Sequence, residues 1–240
     1  MHSHTQTWLS IEDLGSRILP YLPTYDFSSP HIDEAHGAIA NATLNEDSLI
    51  QMPNGGWFAS AIQGWLRRED ALKLYELAYF ASGDILELGS YHGLSTSIIA
   101  RAALNSCKPK HIESVDLDPA CTKATKNNLK RLGLLKLVNV RTADAVVAIE
   151  EYAAKQAQFG FVFIDHSHAY QPVYDACKAL GRVTSPGGFW LFHDFNDHRN
   201  RDTTNKDYGV YQAVVDSLDM NQFEFYGIYG CTGLFRRVLK

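Results

Sequence analysis

The chain has little that would tie it to a membrane, a nucleic acid or an oxidising compartment. No apolar run approaches the ~18–20 residues that span a bilayer, so a membrane is excluded as a partner. The first nine residues carry His2 and His4 but no basic start followed by an apolar stretch, so no secretory leader is expected. Cysteine is scarce, and Cys107, Cys121, Cys177 and Cys231 are scattered without a C-x-x-C pair. That spacing argues against a disulfide framework or a zinc knuckle and for a reducing, cytoplasmic setting. A strong excess of positive charge is also missing. The net charge is −5, so no global field gathers nucleic acid. Internal repeats and low-complexity tracts are absent as well.

What remains is ordinary globular material. The 240 residues, 45% of them hydrophobic, can bury a sizeable core without staples. Residues 1–67 read as an irregular cap segment, punctuated by Pro20, Pro23, Pro30, Pro53 and the Asn54-Gly55-Gly56 turn. Residues 68–240 read as one α/β domain. Its apolar runs Ile85–Leu88, Ile112–Val115, Leu137–Val140, Phe161–Ile164 and Phe189–Phe192 alternate with helical stretches, the pattern of a parallel sheet with crossovers. Two further runs, Phe223–Ile228 and Thr232–Val238, are joined by a linker too short for a helix and should be antiparallel neighbours. Between Arg101 and Arg141 nine Lys/Arg face three acids, and Lys123, Lys126, Lys130 and Arg131 recur at helical spacing, as on a solvated face.

The first strand runs into D-I-L-E-L-G-S-Y-H-G-L-S, residues 84–95. Glycines permit positive φ and close approach of a ligand, and ligands of open α/β sheets bind beyond the carboxyl ends of the strands. The dinucleotide fingerprint G-x-G-x-x-G packs its helix through a third glycine. Here the turn is G-x-x-x-G, with Glu87 two residues before Gly89. A pyrophosphate seeks donors and a positive dipole, so an acid there suits a cationic or hydroxyl-bearing ligand instead. The second strand ends V-D-L-D-P. Asp116 is placed to accept ribose hydroxyls, while Asp118 reads as a helix cap with Pro119 at the first helical position. Asp144, after the third strand, fits an adenine amino group and an N-cap equally well.

Together E-L-G-x-Y-x-G-x-S, V-D-x-D-P and A-D-A resemble the class I S-adenosylmethionine-dependent methyltransferases. Within them the pattern is similar to the catechol O-methyltransferase-like enzymes and the bacterial small-molecule and sugar O-methyltransferases, over residues 68–238. The resemblance implies a Rossmann-like seven-stranded sheet, mostly parallel with an antiparallel C-terminal hairpin, and S-adenosyl-L-methionine as cofactor. It places Glu87, Gly89, Ser90, Tyr91, Gly93 and Ser95 around the methionine part and Asp116 at the ribose, with Leu117 also at the cofactor. Ala143 and Asp144 would border the adenine, and His166 would edge the cofactor.

The fourth strand ends I-D-H-S-H and the fifth F-H-D-F-N. As neighbours ~4.8 Å apart, they would let Asp165, His193 and Asp194 share one divalent cation, Mg2+ or Mn2+. Metal-dependent relatives carry an acid at the fourth strand end and an acidic–amide or acidic pair at the fifth, whereas this chain has His193 at the first position of that pair, and imidazole suits transition metals better than magnesium. Asp165 would alternatively orient the cofactor while His193 lines a pocket. His168, where several relatives place a basic residue, would take the proton from an accepting hydroxyl. Tyr170 and Asp175 read as packing and surface residues. Arg199 and Arg201, in the polar 196–205 loop, fit either an anionic substrate or a solvated loop. Trp57, Phe58 and Trp65 fit either the closing face of the cap or the core.

The reaction expected is methyl transfer to a hydroxyl of a small molecule, with Asp165 and His168 as the catalytic pair. Two alternatives stay open: a metal-independent small-molecule methyltransferase, and a nicotinamide-dependent oxidoreductase, which Glu87 and the missing third glycine disfavour. A nucleic-acid methyltransferase is disfavoured by the charge and by the absence of an N/D-P-P-Y tetrapeptide. No motif addresses the oligomeric state.

Overall fold

The computed structural model describes residues 43–45, 48–51, 62–106 and 108–238. Most of the expected cap, including the 54–56 turn, Trp57 and Phe58, lies outside the described residues, as does Cys107. A short antiparallel pair, β1 (Thr43–Asn45) and β2 (Ser48–Gln51), comes first. Helix and strand then alternate: α1 (Arg68–Phe80), β3 (Asp84–Leu88), α2 (Leu94–Asn105), β4 (Ile112–Asp116), α3 (Pro119–Arg131), β5 (Val138–Thr142) and α4 (Ala145–Ala154). The second half continues with β6 (Phe159–Ile164), α5 (Tyr170–Leu180), β7 (Thr184–Phe192), α6 (Val210–Ser217), β8 (Phe223–Tyr229) and β9 (Thr232–Arg237).

Strands β3 to β9 form one sheet in the order β5-β4-β3-β6-β7-β9-β8. The first five are parallel, and β9 pairs antiparallel with both β7 and β8. The expected terminal hairpin is therefore present, but β9 folds back inside β8, so that β9 alone runs against the rest. Burial explains the choice. The first four residues of β9, Thr232 to Phe235, are all buried, whereas β8 alternates and takes the edge.

A parallel sheet needs cover on both faces, and alternation along each strand supplies two separate cores. On one face Ile85, Ile112, Phe161, Phe163, Leu191 and Leu234 pack with α1 and α2. On the other Leu86, Leu88, Val115, Val162, Trp190 and Phe235 pack with α4, α5 and α6.

Local chemistry fixes the element ends. Asp118 caps α3 by accepting from the Ala120 amide (2.7 Å), with Pro119 at the first position. That helix stops at Gly133 (φ 71), where the Leu134 amide donates to the Leu129 carbonyl and the Gly133 amide to Lys130. A single 3-10 turn, Leu135–Leu137, takes in Leu137, the residue expected to open the next strand, and β5 begins at Val138. Strand β7 begins five residues before its apolar run. Its start is stabilised by Trp190, whose indole N–H donates to Thr184 (2.8 Å). The basic residues Lys123, Lys126, Lys130 and Arg131 are exposed, as their spacing implies. Among the described residues no helix is long and apolar enough to cross a membrane.

Phe163 is fully buried where β6 meets α1 and the base of the site. Truncation to alanine should cost about 3–5 kcal/mol. The denaturant midpoint should fall accordingly with an unchanged slope.

Candidate active site

The strand order reverses direction at β3 and β6, because the chain winds outward through β4 and β5 and returns to the other side of β3. Such a switch point opens a crevice at the carboxyl ends of the strands. A cleft of about 610 Å³ lies there. The glycine turn, Asp116, Asp165, His166, His168, His193, Asp194 and Arg199 line it, and the 63–66 segment closes one side. A second cleft, about 640 Å³, adjoins it through His166 and is lined by Asp144, Ala145 and Val146 of α4 and by α5.

Gly89 (φ 91) cannot be replaced, since a Cβ there would collide with the Asp165 carbonyl. Ser90 and Tyr91 turn their amides onto Asp116 Oδ2 at 3.0 and 2.8 Å, and Asp116 Oδ1 accepts from the Asp118 amide (2.9 Å). The donors that a phosphate would need are thus already engaged by a carboxylate. Asp116 still faces the cleft, beside Ser90, Tyr91 and Ser95. Gly93 (φ 89) starts α2 against Thr125.

Glu87 is not in the cleft. It is fully buried behind the turn, where Ser95 (2.6 Å), Thr96 (2.5 Å) and Ser114 (2.6 Å) donate hydroxyl hydrogens to it. Its carboxylate ties the turn and the start of α2 to β4. Leu117 is 71% exposed and lines neither cleft. Ala143 is half-buried and donates its amide to the Asp116 carbonyl. Asp144 is an N-cap, accepting from Val146 (2.9 Å) and Val147 (3.1 Å), at the rim of the second cleft. His166 keeps Nε2 3.3 Å from the Pro172 carbonyl. A carbonyl only accepts, so that contact puts the ring proton on Nε2 and leaves Nδ1 a buried acceptor without a partner among the described residues. Burial lowers its pKa, which favours this neutral form.

The tips of β6 and β7 bring the ionisable residues together. His193 is 8% exposed, with Nδ1 3.3 Å from Asp165 Oδ1 and 3.2 Å from Asp194 Oδ2. His168 Nε2 lies 2.9 Å from Asp194 Oδ2 and 4.0 Å from Asp165 Oδ1. Burial opposes charge on His193, yet the two carboxylates outweigh it and raise its pKa well above the usual value. The hydrogen bond to Asp194 raises His168 likewise, against partial burial. Burial would raise Asp194, but His193 and His168 prevail and hold it well below the carboxylate range. Asp194 adopts φ 57, a left-handed position held by Asn200, whose amide donates to its carbonyl (2.8 Å).

Three contributors were not legible in the sequence. Asp70 of α1 is fully buried, accepts from the Arg67 and Cys231 amides (2.7 Å each), and sits 3.7 Å from His193 Nε2. Cys231 donates its thiol to Asp194 Oδ1 (3.3 Å). Tyr208 stacks on His168 with centroids 5.1 Å apart, and Arg199 lies over the same ring at 4.0 Å. Asp70 looks like a solvated first-turn acid and Cys231 like a lone turn cysteine, so neither carries a local signal. Trp65 is exposed at the cleft, 5.8 Å from the Tyr91 ring, and is not a core residue.

Among the described residues, the groups whose ligand atoms lie close enough to share a cation are Asp165, His168 and Asp194, and Asp194, Asp197 and Cys231; His193, the expected ligand, stands 3.3 and 3.2 Å from Asp165 and Asp194. The buried Nδ1 of His193 also has no hydrogen-bond partner among the described residues.

The comparisons agree with this architecture. Residues 86–195 match the family model described as a methyltransferase domain. An uncharacterised protein of Acanthamoeba polyphaga mimivirus is 27% identical over 124 residues, 48% of this chain and 52% of that protein. The match thus spans about half the length of this curated relative. The O-methyltransferase from Bacillus cereus, solved with S-adenosylhomocysteine, has a TM-score of 0.59 at 18% identity, over 89% of this chain and 92% of that one. The O-methyltransferase TomG from Streptomyces achromogenes, solved with S-adenosylmethionine, has a TM-score of 0.58 at 16% identity, over 89% and 91%. These likenesses establish the fold. With the glycine turn and the family match, they define a class I methyltransferase architecture. Residues 86–195 of the chain carry a methyltransferase domain.

Glu87 makes a pH-dependent prediction. Burial lifts its pKa from 4.5 to about 7, against the three hydroxyl donors. The native state therefore holds this proton more tightly than the unfolded state, and stability should fall as pH rises from about 4.5 to about 7. At ~1.4 kcal/mol per unit the penalty is on the order of 3 kcal/mol. Denaturation of wild type and Glu87→Gln at pH 5.5 and 8 checks this: only the wild type should show that component.

Proposed function

We propose that the protein transfers the methyl group of S-adenosyl-L-methionine to a hydroxyl of a small molecule. One observation carries the reading: the His168–Asp194 pair opens into the same cleft as the glycine turn, so a proton acceptor faces the position of the sulfonium methyl. The methionine part fits against Gly89, Ser90, Tyr91 and Ser95, and the ribose against Asp116. The base fits toward the second cleft, where the unpartnered His166 Nδ1 would accept from an adenine amino group. The solved relatives named above hold this cofactor or its product, which supports the assignment.

The sulfonium already makes the methyl electrophilic, so the protein must align the acceptor oxygen and free it of its proton. Alignment can supply several kcal/mol, up to ~7–11 in well-oriented cases. His168 donates Nε2–H to Asp194, so Nδ1 is the atom that takes the hydroxyl proton as the C–S bond breaks and the O–C bond forms. Tyr208 fixes the ring plane from one side, and Trp65 and Tyr91 narrow the mouth against water. Asp165, His193 and Asp194 would hold a divalent cation, Mg2+ or Mn2+, which when bound lowers the pKa of a ligated hydroxyl.

A second reading dispenses with the cation. His193 already stands between Asp165, Asp194 and Asp70 as an imidazolium would, which balances the carboxylates by itself. In both readings the acceptor is a small molecule, since the cleft presents Asp116, Asp165 and Asp194 to a ligand. The free thiols of Cys121, Cys177 and Cys231 support a cytoplasmic location.

Formation of S-adenosylhomocysteine is the readout, with phenols, catechols and sugars as acceptors. His168→Gln should lower kcat by about 10²–10⁴-fold and leave S-adenosylhomocysteine affinity within a few-fold of wild type; an unchanged kcat removes His168 as the base. Asp165→Ala should abolish turnover, and wild-type rates in that variant or in EDTA would leave only the cation-free reading standing.

A further inference from the structure

We propose that Asn200 is a positioning residue for methyl transfer: it joins the two groups that orient His168, the Asp194 carboxylate and the segment that carries Tyr208. This role rests on the reading of His168 as the base given above, and it adds what holds that base in place.

Asn200 sits in the 3-10 turn His198–Arg201 and is 3% exposed. A buried primary amide must place two donor hydrogens and an acceptor oxygen, and here each has a partner of fixed polarity. Nδ2 donates to the Asp194 carbonyl at 2.8 Å and to the Asp197 carbonyl at 3.0 Å, while Oδ1 accepts from the Tyr211 amide at 3.0 Å. Carbonyls only accept and a backbone N–H only donates, so the side chain has a single orientation. Aspartate would bring no donor to this position and serine a single hydrogen.

One arm of the amide controls Asp194. That residue stands at φ 57, a left-handed conformation that a residue with a side chain keeps only where its surroundings hold it. The backbone bond of its own turn, from the Asp197 amide to the Asp194 carbonyl, is long at 3.3 Å, so Asn200 makes the shorter contact with that oxygen. The backbone conformation at 194 sets where the carboxylate points, and its Oδ2 lies 2.9 Å from His168 Nε2.

The other arm controls the ring face. Tyr211 lies in the first turn of α6, where amides have no partner within the helix. By accepting from it, Asn200 caps α6 from 11 residues away and fixes the chain just behind Tyr208 and Gly209. Gly209 donates its amide to the His168 carbonyl (2.8 Å), and Tyr208 lays its ring on the imidazole. One amide side chain thus governs both the hydrogen bond at Nε2 and the surface on which the ring rests. Asn200 does not line the cleft, so it acts only through these neighbours.

Asn200→Ala, His168→Gln and the double variant test this in the full chain. One readout is S-adenosylhomocysteine formation, with whichever phenol, catechol or sugar gives the highest wild-type rate. The other is the nitrogen NMR spectrum of the His168 ring, in chelator-treated, histidine-labelled protein at a pH where the ring is neutral, assigned by its loss in His168→Gln. Asn200→Ala should lower kcat by about 10²-fold and leave S-adenosylhomocysteine affinity within a few-fold of wild type. In the His168→Gln background it should have no further effect on kcat, because a residue that acts through His168 has nothing left to act on. The wild-type ring should show Nε2 protonated and Nδ1 bare, and Asn200→Ala should move the two nitrogens toward averaged shifts. Should Asn200→Ala fail to bind S-adenosylhomocysteine, Asn200→Ser, which keeps one donor, carries the same comparison. A kcat loss that persists in the His168→Gln background overturns the positioning role, and so does an unchanged ring spectrum. A wild type that binds S-adenosylhomocysteine but methylates none of the acceptors overturns the reading of His168 as the base, and the ring spectrum still settles whether Asn200 orients it.

Discussion

A buried imidazole within 3.7 Å of three carboxylates constrains this end of the molecule, because a buried charge needs its partners beside it. Taking one partner from a buried ion pair typically costs 3–5 kcal/mol, since it leaves an uncompensated charge. Asp70, Asp165, His193 and Asp194 must therefore arrive together, although they come from α1, β6 and β7. The helix before the sheet, the middle of the sheet and the last hairpin are thereby locked to one polar centre. The Cys231 backbone completes the lock by donating to Asp70, and its thiol by donating to Asp194.

The parallel sheet makes this assembly possible. Strands that run the same way deliver all their carboxyl ends to one edge, so Gly89, Asp116, Asp165 and His193 emerge side by side. The contact between Gly89 and the Asp165 carbonyl sets how closely the tips of β3 and β6 approach. Glu87 then holds the turn from beneath through three hydroxyls. A carboxyl group in that position is a costly way to brace a loop, but it links β3, α2 and β4 through one side chain. No single apolar residue could make those directed contacts.

Features encoded within a dozen consecutive residues were legible in the sequence. The strand tips, the Asp118-Pro119 helix start and the acids at 165 and 194 are of that kind, because periodicity and capping are local phenomena. Asp144 shows where local reading stops: its N-cap role was visible, while its place at the rim of a second cleft depends on α5. Glu87 has the same character. An acid at a strand tip reads as a ligand contact, yet the hydroxyl of Ser114, 27 residues away, helps draw it inward. Asp70 and Cys231 meet across 161 residues, and nothing in their own neighbourhoods marks them. The insertion of β9 inside β8 is likewise decided by which strand has more surface to bury, a comparison that only the assembled sheet makes.

The 196–205 loop frames His168 from the side. Arg199 and Arg201 invite the expectation of an anionic substrate, but Arg199 gives both Nε and Nη2 to Asp197, at 2.9 and 3.0 Å. Its guanidinium then lies on Tyr208, and Tyr208 lies on His168. The stack transmits the position of the loop to the imidazole that faces the cleft. Asn200 fixes the same loop from below by donating to the Asp194 carbonyl and accepting from the Tyr211 amide. His168 is thus oriented by Asp194 at one nitrogen and by an aromatic face at its side. A polar loop that resembles a substrate clamp is, in this fold, the frame that keeps a half-exposed histidine aligned over the cleft.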